Sequence, residues 1–342
     1  MPVKTMRDAI NEALHQEMAA DDRVFVIGED VAGGMGTAGK QGCAGGVFGV
    51  TQGIYEKFGP DRCIDTPISE SAIVGAASGA ALMGMRPVAE IMFADFIGVC
   101  MDQIINQIGK FRYMFGGKTT CPLVIRFTTG AGFSAAAQHS QSMYQIMTAF
   151  PGLKVVVPSN AYDAKGLLLT AIRDEDPVLF FEPKALYQVS CEVPDEPYTI
   201  PFGEAAMPRE GDDVTVVAFG QMVPKAAAAI DALEAEGITC DLIDPRTTSP
   251  LDEETILESV EATGRLVVVD ESPPRCGLTA DVAAMAAERA FHSLKAPVRQ
   301  VCAPHTPVPF SPELEKAYLP SEERIAEAIR SCICLLYTSP SP

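Results

Sequence analysis

Lys154-Val155-Val156-Val157, then Ala161-Tyr162-Asp163-Ala164-Lys165-Gly166-Leu167-Leu168-Leu169-Thr170-Ala171-Ile172, then Val178-Leu179-Phe180-Phe181 reads as a short apolar run, an amphipathic stretch and a second apolar run. Two strands joined through a helix need a crossover connection, which sets them parallel. The same alternation extends in both directions. Upstream, strands are expected at Val24–Ile27, Val88–Met92 and Leu123–Phe127, with helices at Met6–Ala20, Ser71–Met85, Phe96–Phe111 and Gln141–Phe150. Downstream, strands are expected at Val214–Ala218, Cys240–Ile243 and Leu266–Val269, with helices near Pro224–Glu236, Asp252–Thr263 and Ala280–His292. The fold class is therefore α/β, with two parallel-sheet domains covered by helices on both faces. Between them Pro183–Pro201 carries four prolines and several carboxylates with no period, the composition of a linker. The expected division is a domain over 1–190, a linker over 191–203 and a second domain over 204–331. No repeat with a period of about 20–50 residues is visible.

The 342 residues are 47% hydrophobic and 21% charged, a mix that supports a packed core and excludes a disordered chain. With 26 basic against 45 acidic residues the net charge is −19, which repels phosphate backbones and anionic lipid. Nucleic acid and membrane partners are therefore disfavoured. The longest near-continuous apolar stretch, Ala72–Met85, falls short of the ~20 residues a bilayer span needs and reads as a buried helix. The first residues lack an apolar signal core, and Asp8 and Glu12 argue against a transit peptide. Ten cysteines without a Cys-x-x-Cys pair read as reduced thiols, pointing to a cytoplasmic protein without a disulfide framework or zinc site. Residues 332–342, ending Cys334-Leu-Leu-Tyr-Thr-Ser-Pro-Ser-Pro342, break off a helical pattern and read as a non-native tail.

Several segments offer chemistry. Gly34-Met-Gly36-Thr-Ala-Gly39 matches the dinucleotide fingerprint formally, but Glu29 and Asp30 separate it from the strand and further glycines follow. A loop over a site or subunit contact is the better reading. In Asp65-Thr66-Pro67-Ile68-Ser69-Glu70-Ser71, Pro67 fixes an extended approach and Ser69 is placed to cap a helix whose first turn holds Glu70. The helix dipole favours a carboxylate there whatever else it does. Gly75 and Gly79, one turn apart, allow close helix packing and point to a contact between subunits. His139, in Ala136-Ala137-Gln138-His139-Ser140-Gln141, could pair with Ser134 or Ser140, but no Gly-x-Ser-x-Gly elbow exposes a nucleophile. A core-bonded histidine and a catalytic one both fit that position. His15, His292 and His305 have no neighbours that suggest metal ligation.

Taken in order, Ile27-Gly28-Glu29-Asp30-Val31, Asp65–Glu70, Arg112-Tyr113-Met114-Phe115-Gly116-Gly117, Ala136–Gln141, Pro151–Val156 and Asp163–Leu168 strongly resemble the beta subunits of thiamine diphosphate-dependent 2-oxo acid dehydrogenases. The resemblance spans about residues 3–331. Within that family, Gly45–Thr51 and the Arg-Tyr-Met-Phe-Gly-Gly segment look most like acetoin dehydrogenase, while Phe180–Lys184 leans toward the branched-chain type and pyruvate enzymes are near neighbours. It implies a transketolase-like fold, a pyrimidine-binding domain followed by a transketolase C-terminal domain. It also implies an α2β2 heterotetramer with thiamine diphosphate shared between chains. The family's Gly-Asp-Gly…Asn-Asn motif is absent from this chain, so Mg²⁺ and the diphosphate would fall to the alpha subunit.

By motif match, Glu70 is the carboxylic acid beside the aminopyrimidine ring, promoting the imino form that takes a proton from the thiazolium carbon. Phe96 maps to an aromatic packed on that ring, Ile68 to a second cofactor contact, and Glu29 lies beside them. His139 maps to the family's active-site histidine, placed to stabilise or protonate the developing intermediate or to help transfer it to lipoamide. Leu123, Ala171, Ile172, Asp174 and Asp176 map to a structural potassium site, with Asp176 standing where the family has asparagine. The C-terminal domain would build the subunit interface and dock the lipoyl acyltransferase core. Two readings of other classes stay open, a non-catalytic assembly subunit and a self-sufficient hydrolase or dehydrogenase.

Overall fold

Strands buried on both faces read as unbroken apolar runs, because helices cover each side of a parallel sheet. The computed structural model describes residues 1–33 and 45–334. The chain forms two units, one of residues 1–129 and 147–202, the other of residues 130–146 and 203 onward. The Gly34–Gly39 motif and residues 335–342 of the expected tail lie outside the described residues, while helix runs on to Cys334.

The first unit begins with β1 (Val3–Thr5), α1 (Met6–Ala20), β2 (Val24–Gly28), α2 (Ile54–Phe58), β3 (Cys63–Asp65), α3 (Glu70–Leu82) and β4 (Arg86–Phe93). It continues with α4 (Phe111–Met114) and β5 (Val124–Thr129). The short helix α5 (Tyr144–Thr148) comes next in the chain, followed by β6 (Lys154–Val156), α6 (Ala161–Arg173), β7 (Val178–Pro183) and β8 (Ser190–Glu192). Six strands lie parallel in the order β6-β7-β5-β4-β2-β3, and β1 pairs with β8 antiparallel. Helix α1 buries Met6, Ala9, Ile10, Ala13, Leu14 and Met18, one helical stripe, and packs on α6. Both helices start on side-chain caps: Thr5 accepts from the Asp8 N–H and Asn160 from the Asp163 N–H. Gly28 ends β2 so close to β4 that a Cβ there would lie 2.8 Å from the Glu90 carbonyl oxygen.

The second unit holds β9 (Ala206–Arg209), β10 (Val214–Ala218), α7 (Met222–Glu234), β11 (Cys240–Asp244), β12 (Thr247–Ser249), α8 (Glu253–Thr263) and β13 (Leu266–Val269). Beyond these lie α9 (Leu278–Arg289), β14 (Arg299–Val301), α10 (Pro312–Tyr318) and α11 (Glu322–Cys334). Its sheet runs β14-β13-β10-β11-β9, parallel except for β9. Val214, Val216 and Ala218 of β10 pack with Ile230 and Leu233 of α7 and Ile325 and Ile329 of α11 in one core.

Two expected helices are corrected. Phe96–Phe111 is not one helix but a 3-10 turn over Ala94–Val99, a π-helical turn over Gln103–Ile108 and the single turn α4. Gly98 and Gly109 weaken a helix at two points, and Gly109 is pressed against Leu153. Gln141–Phe150 shrinks to α5 because Gln141 instead uses its carbonyl to accept from the Gly130 N–H.

Candidate active site

In an open parallel sheet, loops leaving the C-terminal strand ends build the ligand site. Glu29 follows β2, Thr66 to Glu70 follow β3, and Phe96 follows β4, three strands adjacent in the order β3-β2-β4. The Thr66 N–H donates to the Gly28 carbonyl (3.0 Å), and the Asp65 carboxylate accepts from the Ala32 N–H (2.6 Å), which fixes the chain after Glu29. Glu70 opens α3 and is half-buried. Ser69 holds the N-cap position, but its hydroxyl donates to the Pro67 carbonyl (3.2 Å), so the expected side-chain cap is not made. The Ser71 hydroxyl donates to the Val99 carbonyl (2.6 Å), tying the start of α3 to the segment that carries Phe96. The Phe96 ring stands edge-on to Phe93 at 5.9 Å. Ile68 is 75% exposed, a large apolar side chain left at the rim.

The electrostatics of this corner are those of crowded acids. Burial pushes the Glu29 carboxyl above its ordinary range, and the nearby charges of Asp30 and Glu70 push it further. Burial, with Glu70 adding, lifts the Cys100 thiol to about 12. The Thr66 hydroxyl is buried and has no hydrogen-bond partner among the described residues. An unsatisfied hydroxyl, an aromatic ring, an exposed isoleucine and two interacting carboxyls together suit a flat heteroaromatic ring with nitrogen donors and acceptors.

Beneath this corner lies an ion cluster that sequence reasoning missed. Arg126, 1% exposed, donates to both Glu182 oxygens (2.7 and 2.8 Å) and to Glu90 (2.6 Å), while the Tyr187 hydroxyl donates to Glu182 (2.5 Å). Burial alone would favour loss of the Arg126 proton, yet the two carboxylates outweigh it and hold the guanidinium charged. The signal available was a lone arginine inside an otherwise apolar strand, Leu123–Phe127.

His139 belongs to the second unit, in the 130–146 stretch. It is half-buried, and its N–H donates to the Ala136 carbonyl (3.4 Å). Ser134 directs its hydroxyl to Glu315 (3.3 Å), and the Ser140 hydroxyl has no hydrogen-bond partner among the described residues. Neither serine is held as a nucleophile by His139, in keeping with the missing elbow.

The groups assigned to potassium are brought together, but each already has a partner within the chain. Arg86 donates to the Ile172 (3.0 Å) and Asp174 (2.9 Å) carbonyls, Val178 N–H to Leu123, and Asp174 N–H to Ala171. The Asp174 carboxylate pairs with Lys154 (2.7 Å), and that of Asp176 pairs with Lys154 (3.4 Å) and Arg112. Three basic side chains thus meet the charge of this loop. Among the described residues no three His, Cys, Asp or Glu side chains form a metal-binding group, and no helix is long and apolar enough to cross a membrane.

Comparison with known proteins agrees with this layout. Residues 3–190 match the transketolase pyrimidine binding domain and residues 203–325 the transketolase C-terminal domain. The chain is 59% identical over 322 residues to the acetoin:2,6-dichlorophenolindophenol oxidoreductase subunit beta of Cupriavidus necator, covering 94% of this chain and 95% of that one. It is 55% identical to the subunit of the same name from Bacillus subtilis, with 94% and 95% covered. The 2-oxoisovalerate dehydrogenase subunit beta of Bacillus subtilis is 44% identical, with 96% and 98% covered. A solved structure, the split gene transketolase described as an inactive beta4 tetramer, superposes with a TM-score of 0.77 at 25% identity, covering 97% and 98% of the two chains. The chain therefore belongs to the transketolase-like beta-subunit family of these thiamine diphosphate-dependent oxidoreductases and dehydrogenases.

Proposed function

We propose that this chain is the beta half of an acetoin-cleaving enzyme that passes an acetyl unit to the lipoamide of an acyltransferase core. The substrate class rests on the relatives, since the two acetoin oxidoreductase subunits stand at 59% and 55% identity against 44% for the 2-oxoisovalerate subunit. The chemical reading rests on one observation, that Glu29 and Glu70, past the ends of adjacent strands, lie close enough for the Glu70 charge to help push the Glu29 carboxyl upward. Thiamine diphosphate, when bound, supplies a thiazolium carbon that adds to the substrate carbonyl and an aminopyrimidine ring that relays a proton. Glu70 holds and moves the proton at a pyrimidine ring nitrogen. Glu29, its carboxyl pushed up by burial, Asp30 and Glu70, stands beside it, Phe96 and Ile68 give the ring apolar walls, and the unsatisfied Thr66 hydroxyl offers it a hydrogen bond. His139 handles a proton at the substrate oxygen or assists the hand-over to lipoamide.

In this reading the alpha subunit of an α2β2 tetramer carries Mg²⁺ and the diphosphate. The exposed apolar residues Ile68, Met83, Tyr113, Met114 and Phe115 support such a partner, as does the open small-residue face Ala72, Ala76 and Gly79 of α3. A potassium ion at the 171–176 loop would have to share carbonyls already bonded to Arg86, so the reading does not depend on it. The eight cysteines whose side chains are described are all unpaired, which supports a reducing, cytoplasmic setting.

The test is reconstitution with a co-encoded alpha chain, thiamine diphosphate and Mg²⁺, reading reduction of an artificial electron acceptor. Acetoin should be turned over faster than pyruvate or 2-oxoisovalerate, and the isolated chain should turn over none. Equal or faster rates with a 2-oxo acid would move the substrate to the second reading, a 2-oxo acid dehydrogenase, and leave the role of Glu70 standing.

A further inference from the structure

The loop that carries His139 has an unusual backbone. Gly130 (φ 86°), Gly132 (φ 100°), Ser134 (φ 51°) and Ala136 (φ 63°) are all left-handed, every second residue over seven positions. For serine and alanine that conformation is strained, and something outside the loop must hold it. Such alternation also turns neighbouring amide N–H groups to one side and creates a concave site for an anion.

Two carboxylates of the same unit fill it. Glu271, just past β13, accepts from the Ala131 N–H (2.9 Å), and Glu315, on α10, accepts from the Gly132 N–H (2.8 Å) on one oxygen and the Ser134 N–H (2.7 Å) on the other. Both are 3% exposed. Gln221, after β10, donates to the Ala131 carbonyl (3.0 Å) and to Glu271 (2.5 Å), so both polar groups of residue 131 are held. The fit around residue 130 is tight, since a Cβ on Gly130 would lie 2.4 Å from a Glu271 oxygen. Gly130 donates to the Gln141 carbonyl (3.4 Å) and closes the loop base, and Tyr144 beyond it is bonded to buried Asp270. Phe133 at the tip of the loop is exposed.

We infer that Glu271 and Glu315 of the C-terminal domain are positioning residues for His139: their carboxylates lock the strained 130–136 backbone and so set where the imidazole stands. The C-terminal domain then takes part in catalysis through this loop as well as in assembly. The inference rests on the reading of His139 as a residue that acts in the reaction, and the test separates the two.

The experiment uses the assembled alpha–beta enzyme with acetoin, comparing Glu315→Gln, His139→Ala and the double variant. Glu315→Gln keeps the shape but turns an amide NH₂ against a backbone N–H. Glu315→Gln should lower kcat about tenfold with little change in KM or cofactor affinity. His139→Ala should lower kcat about a hundredfold, and the double variant should fall no lower than His139→Ala alone. Amide exchange at Gly132 and Ser134 should quicken about tenfold in Glu315→Gln, and Glu315→Asp should recover part of kcat. Additive losses in the double variant, or unchanged amide exchange, would overturn the inference. Full turnover by His139→Ala would instead overturn the reading of His139. If Glu315→Gln does not assemble, Glu271→Gln, which leaves the Glu315 bonds in place, is put through the same cycle, with amide exchange read at Ala131, whose N–H it holds, and unchanged exchange there or additive losses overturning the inference.

Discussion

Glu90 shows how one side chain couples the floor of the site to pH. Burial raises its carboxyl above the ordinary range, Arg126 opposes that rise and Glu182 adds to it. The fold therefore keeps a proton that the unfolded chain gives up near the ordinary glutamate value of about 4.3. The stability this group contributes is complete below that value and is lost as pH rises through the raised value. Glu90→Gln should flatten the decline, so urea midpoints measured as pH rises above the ordinary glutamate value should fall less steeply in the variant. Parallel slopes would show that Glu90 does not titrate differently in the fold. Thr66 makes a second residue-scale case. Replacing an unpartnered buried hydroxyl by a methyl removes nothing from the cofactor-free chain. Thr66→Val should leave its melting temperature unchanged or higher, while titration of the assembled enzyme should show weaker thiamine diphosphate binding.

Among the elements, the adjoining strands β2, β4, β5 and β7 hold the site in register. Removing the cation from the Arg126 cluster strands two carboxylates in a dry sheet. Arg126→Leu should cost about 3–5 kcal/mol in denaturant unfolding, and a cost under ~1 kcal/mol would show that the cluster is already neutral. Gly28→Ala drives a Cβ against the Glu90 carbonyl and Val31, and should cost roughly 1–3 kcal/mol.

The strands β10 and β13 were legible to the residue, since continuous valine runs buried on both faces have no other reading. The strands β3 and β14 have three residues each, too few to show a period, and went unread with the terminal helices α10 and α11. The helix expected over Phe96–Phe111 failed because its periodicity is real but glycine and tertiary contact break it into three turns. Glu70, Glu29, Phe96 and His139 were proposed for the site from short local motifs and the family resemblance they carry. Glu271 and Glu315 were not, because they meet the His139 loop across 140 to 183 residues of chain and lie in otherwise ordinary strand-end and helix sequence.

At the scale of the whole molecule, the thiols report how closed the fold is. Burial lifts Cys63, Cys100, Cys121 and Cys240 to about 12, so they stay neutral and shielded near neutral pH, whereas Cys276 is exposed. Among the described cysteines, Cys276 should be alkylated first in the native protein, with those four modified only on unfolding, as read by mass spectrometry. Early labelling of Cys63 or Cys100 would mean that the first unit opens at the site.

The apolar surface at Tyr113, Met114 and Phe115 belongs to a chain built to work in company. In the proposed enzyme this chain brings the acid and its partner brings the phosphate grip. The most direct test is steady-state acetoin turnover by the assembled enzyme carrying Glu70→Gln, with tetramer formation and cofactor affinity measured alongside. The account predicts a loss of at least about a hundredfold in kcat with assembly and cofactor binding retained. Turnover within about twofold of the unaltered enzyme would contradict it.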